Sequence, residues 1–289
     1  MARRHRRLIY GEMQPEEPVR IEHDASLVEV VEHCPRVNDC RFNLVTPFAG
    51  KEYCFDDYLR GLWRLPLDSA HAIFYDNSNC PEFGRRLSSI LPKLFWSWTL
   101  LRDHNKHYTI ESSQDYGKID QRVWSIYDLV FKKHLLDLPV TMVVEDDVEV
   151  PEDTYDQMLH HLDTIPDVGT VVASMNSRRL NDGVGDEPVA WYLERTYQIG
   201  GNEKPESEMI RIHEEKPFGV EIIGSAHTGC WMSKTEAIRK VKLKFGDEGL
   251  THVDQAWGLN LHHAGYHMVI DWSIKTKHYF QEEGEKEFV

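Results

Sequence analysis

The stretch "MVVEDDVEVPEDTYDQML", residues 142–159, decides how the chain reads. An apolar run from Met142 to Val144 ends in three adjacent carboxylates, Glu145, Asp146 and Asp147, and Pro151, Glu152 and Asp153 then read as a helix start. Pro is tolerated in a first helical turn and acids are favoured there by the helix dipole, so Glu152 and Asp153 read as caps. Glu145 and Asp147 need another reason. At period-two spacing on an extended segment they point to one side, where like charges repel. A bound divalent cation relieves that repulsion, and hard oxygen ligands suit Mg²⁺ or Mn²⁺.

Upstream, "RFNLVTP" reads as a strand and "YCFDDYLRGLWRL" as a helix, with Phe55, Leu59, Leu62 and Trp63 at helical spacing and Pro66 as the stop. "SAHAIFYDNSN" is a second strand ending in turn formers, and "EFGRRLSSILPKLFWSWTLL" reads as helical with a break near Pro92. "KHYTIESS" reads as a third strand, "KIDQRVWSIYDLVFKKHLL" as an amphipathic helix, and "PVTMVV" as the fourth strand, which delivers the chain to the carboxylates. Earlier still, "SLVEVVEHC" fits a strand or a helix. Strands and helices alternating at this spacing predict an α/β fold with a mainly parallel sheet covered on both faces. Ligands then sit at the carboxyl ends of the strands. Thr46 and Pro47, Asp76 and Asn77, and Glu145 to Asp147 are the polar positions expected there.

The chain has 289 residues, 41% of them hydrophobic and 11% aromatic, enough for one large core or two small ones. A formal charge of −15 argues against a surface built to coat nucleic acid or anionic membrane. The basic run Arg3 to Arg7 reads as a solvated tail, or as a nucleic-acid arm. There is no apolar run of 18 residues and no apolar signal core, so a cytoplasmic protein without integral membrane contact is expected. Five cysteines, Cys34, Cys40, Cys54, Cys80 and Cys230, lack the close pairing of a thiolate zinc site and read as reduced thiols.

In order and spacing these motifs resemble the GT-A fold glycosyltransferases, closest to the inverting family 2 type, over about Arg41 to Tyr279. "NLVTPFAGKEYCFDDYLRGLW" is similar to the family's first strand, nucleotide-binding turn and helix, and "IFYDNSN" to its second strand, whose Asp meets the nucleoside. "DYGKIDQRVWSIYDLV" resembles the segment in which a Gly and basic residues precede the next strand, and "VVEDDVEVP" resembles the D-x-D motif. The resemblance implies a Rossmann-like domain over 41–280 with a nucleotide-binding half, 41–150, and an acceptor-side half, 151–280. Residues 1–40 would be an N-terminal extension and 281–289 an acidic, flexible tail.

It also implies a divalent cation, Mn²⁺ or Mg²⁺, bridging the diphosphate of a nucleotide-sugar donor, with a UDP-sugar foremost. Asp147 is its expected ligand, with Glu145 standing where the family has its first Asp, and His278, in "SIKTKHYF", completing the shell. Lys118 and Arg122 are diphosphate candidates or solvated helix residues. "IIGSAHTGCWMSKTEAIRKV" resembles the segment lining donor sugar and acceptor, where Gly224, Ser225, Thr228 and Gly229 permit close backbone approach. Within it His227 is a substrate contact or a turn residue, and Trp231 a pocket floor or core. Asp254, in "THVDQAWGLNLHHAGYHMVID", occupies the position of the family's catalytic base, although Val253 replaces the acid usually before it. An acid there also caps a helix.

Residues 178–218 form a Gly- and acid-rich stretch read as a lid or acceptor-side loop, with Trp191 and Tyr192 as sugar-stacking candidates or packing residues. The acceptor is expected to be a soluble glycan, a protein or a small molecule, with a hydroxylated DNA base as the minority reading. Two alternatives remain beside the transferase: a non-catalytic nucleotide-sugar or glycan binding module, and a nucleotidyltransferase. The latter usually opens with a Gly-rich phosphate loop and a basic residue, and "TPFAGKE" carries a single Gly.

Overall fold

The computed structural model describes residues 23–34, 37–78, 80–105, 115–176, 188–196, 206–241, 253–282 and 285–288. The first half of the fold comprises β1 (Val28–Cys34), β2 (Phe42–Phe48), α1 (Phe55–Leu62), β3 (Ala70–Asp76), α2 (Pro81–Leu94), β4 (Ser97–Asp103), α3 (Asp115–Lys133) and β5 (Val140–Val144). After the acid turn come β6 (Val148–Glu149), α4 (Thr154–Thr164), β7 (Val168–Ser174), β8 (Ala190–Thr196), β9 (Glu206–Arg211), β10 (Val220–Ile223) and β11 (Ser225–Ala226). The chain closes with β12 (Cys230–Lys234), α5 (Thr235–Lys240), α6 (Val253–His263), β13 (His267–Lys275), β14 (Lys277–Glu282) and β15 (Glu285–Phe288).

The central sheet has nine strands in the order β1-β4-β3-β2-β5-β12-β7-β13-β10. Six of them, β2, β3, β4, β5, β7 and β13, run in one direction, while β1, β10 and β12 run against them. Alternation along each strand divides its side chains between two cores. In β5, Val140, Met142 and Val144 face the layer of α1, α2 and α4, where Tyr58, Phe83 and Met158 are buried. Val143 faces the opposite layer of α3, α5 and α6, where Phe131, Ile238 and Trp257 are buried. Both faces are covered, which is why these strands read as continuous apolar runs.

Several expectations change. "SLVEVVEHC" is strand: β1 pairs antiparallel with β4, so the sheet takes in residues before Arg41. The helix read through "FWSWTLL" ends at Leu94, and Ser97–Asp103 is β4, paired to β3 with His71 opposite Ser97. Strand β2 continues through Thr46 and Pro47 to Phe48. Within 178–218 lie β8 and β9, an antiparallel pair joined to β11, in place of an unbroken loop. The acidic tail contributes β15, paired to β14. Asp153 does precede α4, but in a left-handed conformation with no side-chain cap. "KHYTIESS" and the basic run Arg3 to Arg7 lie outside the described residues. Among the described residues no helix is long and apolar enough to cross a membrane, and Cys40, Cys54, Cys80 and Cys230 are free thiols.

Candidate active site

The acid turn begins where β5 stops. Glu145 donates its N–H to the Gly229 carbonyl at 2.8 Å, and Val148 donates to the Glu145 carbonyl at 3.1 Å, closing a turn that carries Asp146 and Asp147. Both aspartates are buried, at 2% and 0% exposure. Their orientation is fixed from two sides.

From one side comes the loop after β2. Ala49 N–H donates to Asp146 Oδ2 at 2.8 Å, and Lys51 Nζ reaches Asp146 Oδ1 at 3.1 Å and Asp147 Oδ2 at 2.7 Å. Gly50 sits between them with φ of 82°, in the left-handed region, and a Cβ there would lie 2.7 Å from Ser78 Cβ. Only Gly lets the chain double back so that Lys51 faces the carboxylates.

From the other side comes β14. His278 pairs with Val148, and Tyr279 N–H donates to the Asp147 carbonyl at 2.9 Å. The His278 ring stands with Nε2 3.3 Å from Asp147 Oδ2 and Nδ1 3.4 Å from the Asn176 carbonyl oxygen. Asp147, His278 and Lys51 thus converge, although His278 is far away in sequence.

Glu145 faces elsewhere. Its Oε1 accepts from Thr228 Oγ1 at 2.9 Å and from Tyr127 Oη at 3.3 Å. Burial and the nearby Asp147 charge push its carboxyl above the ordinary range, and burial likewise raises Asp146. The Tyr127 phenol is held far up by burial, then by the charges of Glu145 and, more weakly, Asp254. Asp254 is carried by a different element from the acid turn. It stands half-buried in the first turn of α6, and its own carbonyl accepts from Ser225 Oγ at 2.6 Å. Gly229 packs so tightly that a Cβ would meet Met175 Sδ at 2.8 Å.

Other expected contacts are occupied within the protein. Thr46 is fully buried, its hydroxyl 2.8 Å from that of Tyr58, and Pro47 lies in β2 opposite Tyr75. Asp76 Oδ1 accepts from Ser78 N–H and Oγ at 3.0 and 2.6 Å, and Oδ2 faces Arg102 Nε at 3.5 Å. Arg122 is not a solvated helix residue. It is buried at 5% exposure, paired with Asp103 and donating to Asn77 Oδ1 at 3.3 Å. Burial works against it, yet hydrogen bonds from His23, Tyr75 and Asn105 hold the Asp103 carboxyl well below its usual range, so the pair is ionic. Lys118 lies in α3, its side chain outside the described residues.

His227 is a structural residue of the turn. It is 3% exposed, and burial lowers its pKa to about 3, leaving a neutral ring that donates from Nε2 to the Ala173 carbonyl at 2.7 Å and accepts from Gly229 N–H at Nδ1, 3.1 Å away. Trp231 is core, 5.1 Å from Trp257 between ring centroids. Tyr192 donates to Glu221 Oε1 at 2.7 Å, and Trp191 is half-buried. Cys54, beside the turn, is pushed up to about 12 by burial and by Asp147 and Asp146, so it stays a thiol and offers no nucleophile.

No family model and no curated protein sequence matches the chain. Solved structures match it in shape. GalNAc-T7 with UDP, GalNAc and Mn²⁺ aligns at a TM-score of 0.56 and 12% identity, over 86% of this chain and 44% of that one. Residues 1–349 of S. aureus TarS with UDP-GlcNAc align at 0.50 and 10% identity, over 85% and 60%. The mannosyltransferase PcManGT from Pyrobaculum calidifontis, with GDP-Man and Mn²⁺, aligns at 0.48 and 14% identity, over 84% and 59%. The chain spans less than two thirds of each of these neighbours. The first two define the class of fold: a mixed α/β sheet with helices on both faces, of the GT-A glycosyltransferase type.

Proposed function

We propose that the chain is a glycosyltransferase that moves a sugar from a nucleoside-diphosphate sugar to an acceptor hydroxyl with inversion. A UDP-sugar is the first donor to test. The observation that carries this reading is the convergence of Asp147, His278 and Lys51 at the carboxyl end of β5 in a GT-A-type sheet; Asp254, in the first turn of α6, is the candidate base.

The donor set suits Mn²⁺ or Mg²⁺. A carboxylate and an imidazole stand 3.3 Å apart, and an ammonium rests on the carboxylate as a positive stand-in. Among the described residues no three His, Cys, Asp or Glu side chains are grouped to hold a metal, so the protein would supply two ligands, Asp147 and His278. Glu145, turned to Tyr127 and Thr228, holds the turn in place of ligating. A bound divalent cation stabilises the negative charge left on the nucleoside diphosphate.

The protein's own steps are positional and acid-base. Asp254 takes the acceptor hydroxyl proton on a carboxylate oxygen as the hydroxyl oxygen bonds to the anomeric carbon. The bond from that carbon to the diphosphate oxygen breaks on the opposite face, and its electron pair leaves with the diphosphate.

Calorimetric titration with UDP, GDP, CDP and dTDP, each with Mn²⁺ and with chelator, tests the reading. Tight binding of one nucleotide with Mn²⁺ supports it. Absence of binding in every condition removes the donor site and the transferase reading with it, in favour of a non-catalytic glycan-binding module.

A further inference from the structure

From the position of Lys51 we infer that it is an exchangeable internal cation, neutralising the acid turn while the site is empty and moving to the donor diphosphate when a divalent ion takes Asp147. The inference rests on the cation site proposed above. Lys51 Nζ lies 2.7 Å from Asp147 Oδ2, the same oxygen that His278 Nε2 approaches at 3.3 Å. A divalent ion held by that oxygen and that nitrogen would stand against the ammonium, and the two cations repel. They therefore compete for one place.

Three features suit Lys51 to exchange. First, among the described residues the turn's three carboxylates are met by the ammonium of Lys51, so the empty site needs a positive charge there. Second, the Lys51 side chain is 23% exposed, whereas Asp147 is fully covered, so the ammonium can leave towards solvent without opening the core. Third, the loop does not depend on Lys51 alone, because Ala49 N–H is held separately by Asp146 Oδ2 at 2.8 Å. A flexible four-carbon stem on a fixed anchor can swing without moving the backbone. Once displaced, the ammonium stands at the rim of the crevice where a diphosphate's negative charge would arrive.

The exchange has a two-part thermodynamic signature. Binding of Mn²⁺ alone must break the Lys51 ion pair, so removing the ammonium should tighten Mn²⁺ binding. Binding of diphosphate to the Mn²⁺-loaded protein should gain from the freed ammonium, so removing it should weaken that step. A lysine serving only to hold the turn would give neither change, and one serving only the phosphate would give just the second.

The experiment is titration of Mn²⁺ alone, followed by UDP at saturating Mn²⁺, into the full chain and its Lys51→Met, Lys51→Arg and Asp147→Asn variants. Thermal melts confirm that each is folded. Lys51→Met is expected to bind Mn²⁺ about tenfold more tightly and the nucleotide about tenfold more weakly, the size of a lost hydrogen bond to a charged group. Lys51→Arg, which keeps a charge at the turn, should not tighten Mn²⁺ binding. If Lys51→Met leaves Mn²⁺ affinity unchanged or lowers it while Asp147→Asn abolishes binding, exchange is overturned and the cation site stands. Mn²⁺ binding that ignores Asp147→Asn overturns both. Should Lys51→Met fail to fold, Lys51→Gln supplies the same comparison.

Discussion

Asp147 and Glu149 are separated by one residue and both are buried, at 0% and 2% exposure, yet their surroundings are opposite. Glu149 is met by Arg60 at 3.2 Å, Arg64 at 3.0 Å, the Tyr279 hydroxyl at 2.6 Å and Lys277 at 3.7 Å. Burial alone would raise its carboxyl; Tyr279, Lys277, Arg64 and Arg60 outweigh burial and hold it below the ordinary value. The acid turn has the reverse balance, with Glu145, Asp146 and Asp147 against Lys51 and a histidine. The alternation of "EDDVEV" gives no hint of this. Among the described residues, what differs is the supply of cations: Arg60, Arg64 and Lys277 meet Glu149, and Lys51 of the loop after β2 meets the turn. A carboxylate with surplus cations holds the fold together, while one with a deficit retains capacity for a ligand.

The largest expected effect belongs to Asp254, in the first turn of α6. Asp254→Asn should slow sugar transfer about 10³-fold, within the range for general-base removal, and leave nucleotide affinity unchanged. Steady-state rates beside calorimetry check it, and normal turnover would send the search to another base. Next, Asp147→Asn should weaken Mn²⁺-dependent nucleotide binding about 100-fold while shifting unfolding free energy by less than about 1 kcal/mol, since it removes a repulsion together with an attraction. Glu149→Ala should do the opposite. It should cost about 2 kcal/mol in denaturant unfolding, the buried-pair figure discounted for the half-exposed Arg60 and Lys277, with nucleotide affinity held within threefold or so. If both variants lose binding and stability alike, the distinction between the two clusters fails.

The smallest effect is on pH. His227 is neutral in the fold to about 3 but protonates near 6.5 when unfolded, so the unfolded state binds the extra proton between those values and stability falls as pH falls. The fold should be about 1.4 kcal/mol less stable at pH 5.5 than at pH 7.5 on this account. Glu149 adds no pH dependence in that interval, because a lowered carboxyl's stabilisation is complete above its unfolded value near 4.5 and is lost only below it. Urea midpoints at the two pH values, compared with His227→Gln, separate these groups.

Much of the fold was legible. Strands β2, β3 and β5 are apolar runs bounded by turn formers, and α1 and α3 carry period-3.6 faces. Strand β4 was not, because "FWSWTLL" is apolar on both faces and sits directly after a helix, so neither period marks it. Strands β8 and β9 pair outside the main sheet, and neither "AWYLERT" nor "ESEMIR" alternates apolar with polar residues. In the site, the approach of His278 to Asp147 was visible only through the order of motifs. Lys51 was missed because its partner lies 96 residues onward, with no local pattern to join them. The partners of Thr46, Asp76 and Arg122 were hidden for a related reason: each makes a contact across helices or strands that composition does not register.

The two-residue ladder between β6 and β14 sets the order in which the molecule is built. Tyr279 closes on Glu149 across 130 residues, and His278 reaches the acid turn by the same ladder. A connection that long is slow to form, because chain entropy is lost before the contact repays it. During synthesis the acid turn therefore emerges with Lys51 already made but without His278, which arrives only when β14 docks. In refolding, ligand competence should return with the slowest phase, after the parallel strands have regained their secondary structure.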